Sequence, residues 1–92
     1  MREITLDLTK FTEKISLHSY LSEMLDFPFY YGANLDALHD ELSSEMVPTR
    51  IHIQYPAKPQ GQMENYLPRL LRVFRDSAAE NDHLELTYEE SA

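Results

Sequence analysis

Three short stretches of alternating apolar and polar residues, at residues 4–8, 50–55 and 84–88, constrain the fold of this chain most strongly. In each stretch every second side chain is apolar, which is typical of a β-strand with one buried face. The segments between them are too long for hairpin turns and carry apolar residues at helical spacing. Strands separated by helices favour a parallel sheet with right-handed crossovers. The sequence therefore predicts an α/β fold.

Two helices are predicted between the first and second strands. The first covers residues 11–25, with Thr12 as its expected N-cap. Its apolar residues at helical spacing are Ile15, Leu17, Leu21, Met24 and Leu25. The second helix begins after Asn34, whose side chain can accept a hydrogen bond from the first turn. The leucines that form the buried stripe of this second helix are Leu35, Leu38 and Leu42.

A third helix is predicted from about Tyr66 to Glu80. Pro68 places its start near residue 66 or 67, because proline is acceptable only in the first turn of a helix. All three strands alternate instead of being apolar throughout, so the helices are expected mainly on one face of the sheet. We therefore predict one two-layer domain, residues 1–92, with a three-stranded parallel sheet in the order 1-2-3.

The charge of the chain is negative and unevenly distributed. Sixteen acids and eight bases give a formal net charge of −8, which disfavours nucleic acid and anionic membranes as partners. Residues 15–49 contain no lysine or arginine. This base-free window forms a local negative patch suited to a basic partner. Its acids are Glu23, Asp26, Asp36, Asp40, Glu41 and Glu45.

Composition also bears on the compartment. Cysteine is absent, which leaves no disulfide, thiol nucleophile or thiolate metal site. The first residues, MREITLDL, lack the apolar core of a signal peptide, and no apolar run reaches membrane-spanning length. We expect a cytoplasmic protein.

Asp36 and Asp40 lie four residues apart on the second helix, on the sector that faces water together with His39 and Ser43. The helix dipole accounts for Asp36, which lies in the first turn. Asp40 repels Asp36 and has no lysine on the same helix to offset the repulsion. Such a pair is typical of a site for a cationic partner.

Asp36, Asp40 and His39 could instead serve a small metal-dependent or carboxylate-dependent enzyme, and this remains the more distant alternative. No two histidines have the i, i+4 spacing of a zinc site. A convex helix is also a poor place for the dry pocket that tunes catalytic carboxylates. We therefore predict no enzyme activity, no metal and no cofactor.

The stretch YYGANLDAL, followed by HDEL, resembles the centre of the barstar family, the intracellular inhibitors of the extracellular ribonuclease barnase. The likeness extends to FPFYYG before it, to LLRVFRDSAAE in the last helix, and to chain length and element order. The resemblance implies an acidic helix that plugs the active site of a basic ribonuclease in a 1:1 complex. The alternative is an immunity or regulatory protein of the same fold for a different toxin or a partner that is not a nuclease.

The resemblance also implies contact residues. Asp40 would occupy the phosphate site of the nuclease, and Asp76 would contribute from the last helix. The family pattern differs at Ala33, at His39 and at residues 43–46, all within the contact region. The implied partner-binding residues are Tyr30, Asn34, Leu35, Asp36, His39, Asp40, Ser43, Ser44 and Asp76.

Overall fold

Six elements follow one another in residues 1–91, the part of the chain that this computed structural model describes. They are strand β1 (Arg2–Asp7), helices α1 (Lys14–Met24) and α2 (Leu35–Ser43), strand β2 (Thr49–Pro56), helix α3 (Met63–Glu80) and strand β3 (Leu84–Ser91). The strands form one parallel sheet in the order β1-β2-β3. The predicted α/β fold with a three-stranded parallel sheet is confirmed. Within residues 1–91, no helix is both long and apolar enough to cross a membrane.

The two faces of the sheet differ because the strands alternate. On the inner face, apolar side chains of neighbouring strands line up in register and meet the helices. The rows on this face are Ile4–Ile51–Leu86 and Leu6–Ile53–Tyr88. The helices complete the core with buried side chains that include Leu17, Leu21, Leu38, Leu42, Leu70 and Phe74.

The opposite side, which we call the outer sheet face, is polar. Arg50 lies between two acids there, with Nη1 2.9 Å from Glu3 Oε1 and Nε 3.3 Å from Glu85 Oε1. One row further along, the two ring nitrogens of His52 are 2.6 Å from Thr87 Oγ1 and 2.9 Å from Glu89 Oε1. These contacts are exposed to water, so they contribute little to stability.

The start of α1 differs from the sequence prediction. The N-cap is Glu13, not Thr12, and Glu13 makes no side-chain capping bond. Instead, Gln62 Oε1 accepts from the Lys14 N–H at 2.8 Å, and the Gln62 N–H donates to the Thr12 carbonyl at 2.8 Å. A residue 48 positions away thus replaces the local cap, which no local pattern could indicate. Ile15 also lies outside the core, with 79% of its surface exposed.

The start of α3 was also predicted wrongly. The helix begins at Met63, so Pro68 lies in its second turn instead of its first. Proline there removes the N–H that would bond to the Glu64 carbonyl. Both residues are exposed, and water can satisfy that carbonyl. The added turn buries Met63, which favours the longer helix.

Gly61 provides a test of the contact between the two helix starts. It has a φ of +62°, and a Cβ added to it would lie 2.8 Å from the Thr12 carbonyl oxygen. We expect Gly61→Ala to lower the free energy of unfolding by about 1–3 kcal/mol, from backbone strain and this contact. The change is measured as a shift in the urea midpoint.

Gly32→Ala is the matched control. A Cβ at Gly32 would meet Ala37 Cβ and Asn34 Nδ2, each at 3.3 Å. These contacts require shifts of only a few tenths of an ångström, and the φ of Gly32 is not in the left-handed region, so we expect a loss under about 1 kcal/mol. Equal losses for the two variants would contradict the role given to Gly61.

Candidate functional site

Helix α2 is held by a cap at each end and by leucines that pack into the core. Asn34 Oδ1 accepts from the Ala37 N–H at 2.8 Å, which confirms the predicted N-cap. Leu38 and Leu42 are buried, with exposures of 0% and 2%, and Leu35 is half-buried. Because the leucines fix the rotation of the helix, the opposite face must point to water.

Asp36 and Asp40 lie on this opposite face, and both are exposed. Neither carboxylate forms an ion pair with any residue in the described chain, 1–91. Their Cβ atoms are about 5–6 Å apart, as expected for residues at i and i+4. Two unpaired anions this close attract a cation from outside the molecule.

The surroundings of the two aspartates differ in a way the sequence did not reveal. Lys14 and Arg69 line the same surface depression as Asp36, which has a volume of about 320 Å³. Both bases also lie against the Tyr66 ring, with Lys14 Nζ 5.1 Å and Arg69 Cζ 5.9 Å from its centroid. Although residues 15–49 contain no lysine or arginine, the fold therefore brings two bases from the other helices into the depression beside Asp36. Asp40, one turn further along α2, does not line this depression.

His39 is tied to the end of α3. Its Nε2 lies 2.9 Å from Glu80 Oε2 and 3.3 Å from Ser43 Oγ. The Ser43 hydroxyl is also 3.4 Å from the same Glu80 oxygen. His39 thus presents a partly exposed ring in a fixed position. Sequence reasoning missed Glu80, since its partner is 41 residues away.

The C-terminal end of α2 is closed by its own cap and by α3. Ser44 Oγ donates to the Asp40 carbonyl at 2.7 Å. The buried Asn81 side chain donates to the Leu42 and Glu45 carbonyls, each at 2.9 Å. Glu45 in turn pairs with Arg2 at 2.6 Å. Ser44 therefore positions the helix, and its hydroxyl proton is already used.

A buried histidine anchors the loop before α2. His18 is 1% exposed, with Nδ1 2.7 Å from the Tyr31 hydroxyl and Nε2 2.6 Å from the Tyr66 hydroxyl. Burial lowers the pKa of His18. Burial also raises the pKa of Tyr31, with further contributions from Tyr66 and Glu41. The neutral imidazole accepts from one hydroxyl and donates to the other, so the loop is pinned to α1 and α3.

Two more of the predicted contact residues lie outside α2. Tyr30 is 73% exposed, in the loop before α2. Asp76 is exposed on α3, one turn before Glu80, and thus on the same side of that helix. The Asp76 carboxylate lies 3.5 Å from Nε of its neighbour Arg75. Within residues 1–91, no group of three histidine, aspartate or glutamate side chains is arranged to hold a metal ion.

Comparisons with known proteins identify the family of this chain. A family profile described as "Barstar (barnase inhibitor)" matches residues 1–89. A stretch of 43 residues is 51% identical to the Bacillus subtilis (strain 168) protein described as "Putative ribonuclease inhibitor YrdF". That match covers 47% of this chain and 47% of the relative, about half the length of each. The matched family is one of inhibitors, not of enzymes. Since its profile spans all three helices and nearly all of the sheet, the chain belongs to the Barstar (barnase inhibitor) family.

Proposed function

We propose that this protein inhibits a ribonuclease by inserting the exposed face of α2 into a basic active site. The observation that carries the proposal is Asp40, an exposed carboxylate on a rigid helix that has no counter-ion within the described chain. A ribonuclease active site binds phosphate through cationic side chains, and a carboxylate can take the place of that phosphate. The description of the matched relative as an inhibitor of a ribonuclease supports this choice of partner.

Rigidity supports the proposal as well. A helix that is already capped at Asn34 and Ser44 loses little conformational freedom when it binds. The pair of His39 with Glu80 holds a flat ring beside Asp40. Binding energy is then available for the carboxylate contacts, because little of it is needed to order the helix.

The net charge of −8 adds long-range attraction. Complementary charge raises association rates by about 10-fold to 1,000-fold, and salt screens this effect. Carboxylate–arginine pairs in a desolvated interface are strong and directional. The complex should thus form quickly and weaken as salt is added.

The proposed contacts divide by their role. Asp36, Asp40 and Asp76 supply charge, while Tyr30 and Leu35 supply apolar area at the entrance of α2. Asn34 and Ser44 already bond to the helix backbone, so they position the contact surface. The full proposed set is Tyr30, Asn34, Leu35, Asp36, His39, Asp40, Ser43, Ser44 and Asp76.

The test is an inhibition titration of a barnase-type ribonuclease with the wild-type protein at low and moderate salt. We expect activity to fall linearly to zero at one equivalent in low salt. The apparent dissociation constant should rise with salt because the attraction is between charges. Undiminished nuclease activity at several equivalents would exclude this class of partner.

A second candidate is inhibition of a different toxin by the same face. The observation that favours it is the cluster of His39, Ser43 and Glu80, in which His39 and Ser43 are positions where this sequence departs from the family pattern. This cluster alters shape and charge beside Asp40. Capture of a toxin other than a barnase-type enzyme, with loss of capture in Asp40→Ala, would favour this candidate.

A further inference from the structure

An exposed aromatic side chain in the loop before α2 has no partner in the core. Phe29 is 100% exposed, and the neighbouring Tyr30 is 73% exposed. Their rings meet edge to face, with centroids 5.6 Å apart. A wholly exposed phenylalanine ring forgoes the burial that normally stabilises the folded state. Such a ring is typical of a contact surface.

The loop holds Phe29 in place. The Tyr31 N–H donates to the Pro28 carbonyl at 3.0 Å, which closes a turn with Phe29 and Tyr30 at its tip. On either side of the tip, Phe27 packs on Tyr31 at 4.8 Å between ring centroids. Tyr31 is also hydrogen-bonded to the buried His18. Anchors on both sides make the display of Phe29 a fixed property of the fold, because the tip cannot fold back into the core.

Phe29 also lines a groove between this loop and α1. The groove has a volume of about 490 Å³ and adjoins the depression beside Asp36, since Ala33 lines both. Its aromatic side is formed by Phe27, Phe29 and Tyr31, and its acidic side by Glu23 and Asp26. Glu23 and Asp26 are both exposed, and neither forms an ion pair within residues 1–91.

We infer that this groove receives a lysine or arginine side chain of the same partner, with Phe29 against the aliphatic stem or guanidinium plane. The inference rests on the proposed function and adds a second contact beside the α2 face. An aromatic wall supplies dispersion and cation–π attraction, while Glu23 and Asp26 supply the counter-charge. Charge complementarity selects a basic occupant, since none of the described residues that line the groove is a lysine or an arginine.

The test compares Phe29→Ala, Phe29→Tyr and Ile15→Ala in the inhibition titration. We expect Phe29→Ala to raise the apparent dissociation constant about tenfold, a typical size for a lost cation–π and apolar contact. Phe29→Tyr keeps the ring and should retain wild-type affinity. Ile15, which is 79% exposed on α1 and does not line the groove, is the matched apolar control and should have no effect.

A second readout separates this contact from the charges of α2. The loss in Phe29→Ala should appear in the dissociation rate and persist at moderate salt, because packing against a ring is not screened. Glu23→Gln should cause a smaller loss that shrinks with salt. Wild-type affinity in Phe29→Ala would overturn the inference and leave the proposed function intact. A wild-type protein that fails to inhibit would overturn the proposed function and, with it, the occupant assigned to the groove.

Discussion

Replacing Asp40 with alanine is expected to weaken inhibition by about 30-fold to 4,000-fold, the range for removing one member of a buried charge pair, about 2–5 kcal/mol. This energy range is a general one for protein complexes, and barnase–barstar is among the complexes from which it was obtained. The loss is large because the partner's cations would stay buried without their counter-ion. The measurement is the apparent dissociation constant from inhibition titrations at low salt.

The Asp40→Ala variant should bind more weakly, but its folded state should be slightly more stable than that of the wild-type protein. Asp40→Ala removes a like-charge repulsion with Asp36, which costs about 0.2–0.5 kcal/mol per pair. Alanine is also a better helix former than aspartate, so α2 should be stabilised by about a few tenths of a kcal/mol. A variant that unfolds no more readily but fails to bind has lost a contact and not its fold. Asp40→Asn, which keeps the shape of the side chain, should fail to nearly the same extent.

Two further variants calibrate this result. Asp36→Ala should cost less than Asp40→Ala, since Lys14 and Arg69 already lie near Asp36 and weaken its field. Glu90→Ala removes the same charge from an exposed position on β3, away from α2, and should act only through the net charge. Retained inhibition by Asp40→Ala would place the phosphate-mimicking residue elsewhere.

Replacing His18 with alanine is expected to lower the free energy of unfolding by about 3–5 kcal/mol. The variant opens a cavity in the core and leaves the hydroxyls of Tyr31 and Tyr66 without their partner. For a domain of this size 3 kcal/mol corresponds to a fall in Tm of at least about 12 °C. His52→Ala on the outer sheet face is the control and should cost under about 1 kcal/mol.

His18 also predicts a dependence of stability on pH. Its pKa is lowered by burial, so between about pH 6.5 and the lowered native value the unfolded chain binds more protons than the folded one. Stability therefore falls as pH falls through this window, by up to about 1.4 kcal/mol per pH unit. Urea midpoints at several pH values should show a slope that His18→Gln reduces, and an unchanged slope would contradict the assignment.

The fold could be predicted from the sequence because its signals are local and repeated. Alternation in three strands and helical spacing between them specify the element order, and right-handed crossovers limit the topology. The cap at Asn34 and the leucine stripe of α2 are likewise local. The starts of α1 and α3 were predicted wrongly from Thr12 and Pro68, because tertiary contacts determine where both helices begin. Gln62 supplies the cap of α1, and burial of Met63 extends α3.

The candidate site could be predicted only in part. The two aspartates stand out because neighbouring positions lack bases, which is a property of the sequence. The bases near Asp36 come from other helices, and the partner of His39 comes from the end of α3. The role of His18 was also not predictable, since a histidine at that spacing looks the same whether or not two tyrosines reach it. Such long-range pairs are set by the fold and leave no local pattern.

The proposed contacts do not use the polar outer sheet face, which lies on the other side of the molecule. All three helices lie on the side of the inner face, so a dye, a tether or a solid support attached near Thr87 would point away from α2. The protein could then be immobilised in one orientation with its acidic helix free. Attachment through the outer sheet face would not obstruct the proposed contact surface, which suits the chain for use as a surface-bound capture reagent.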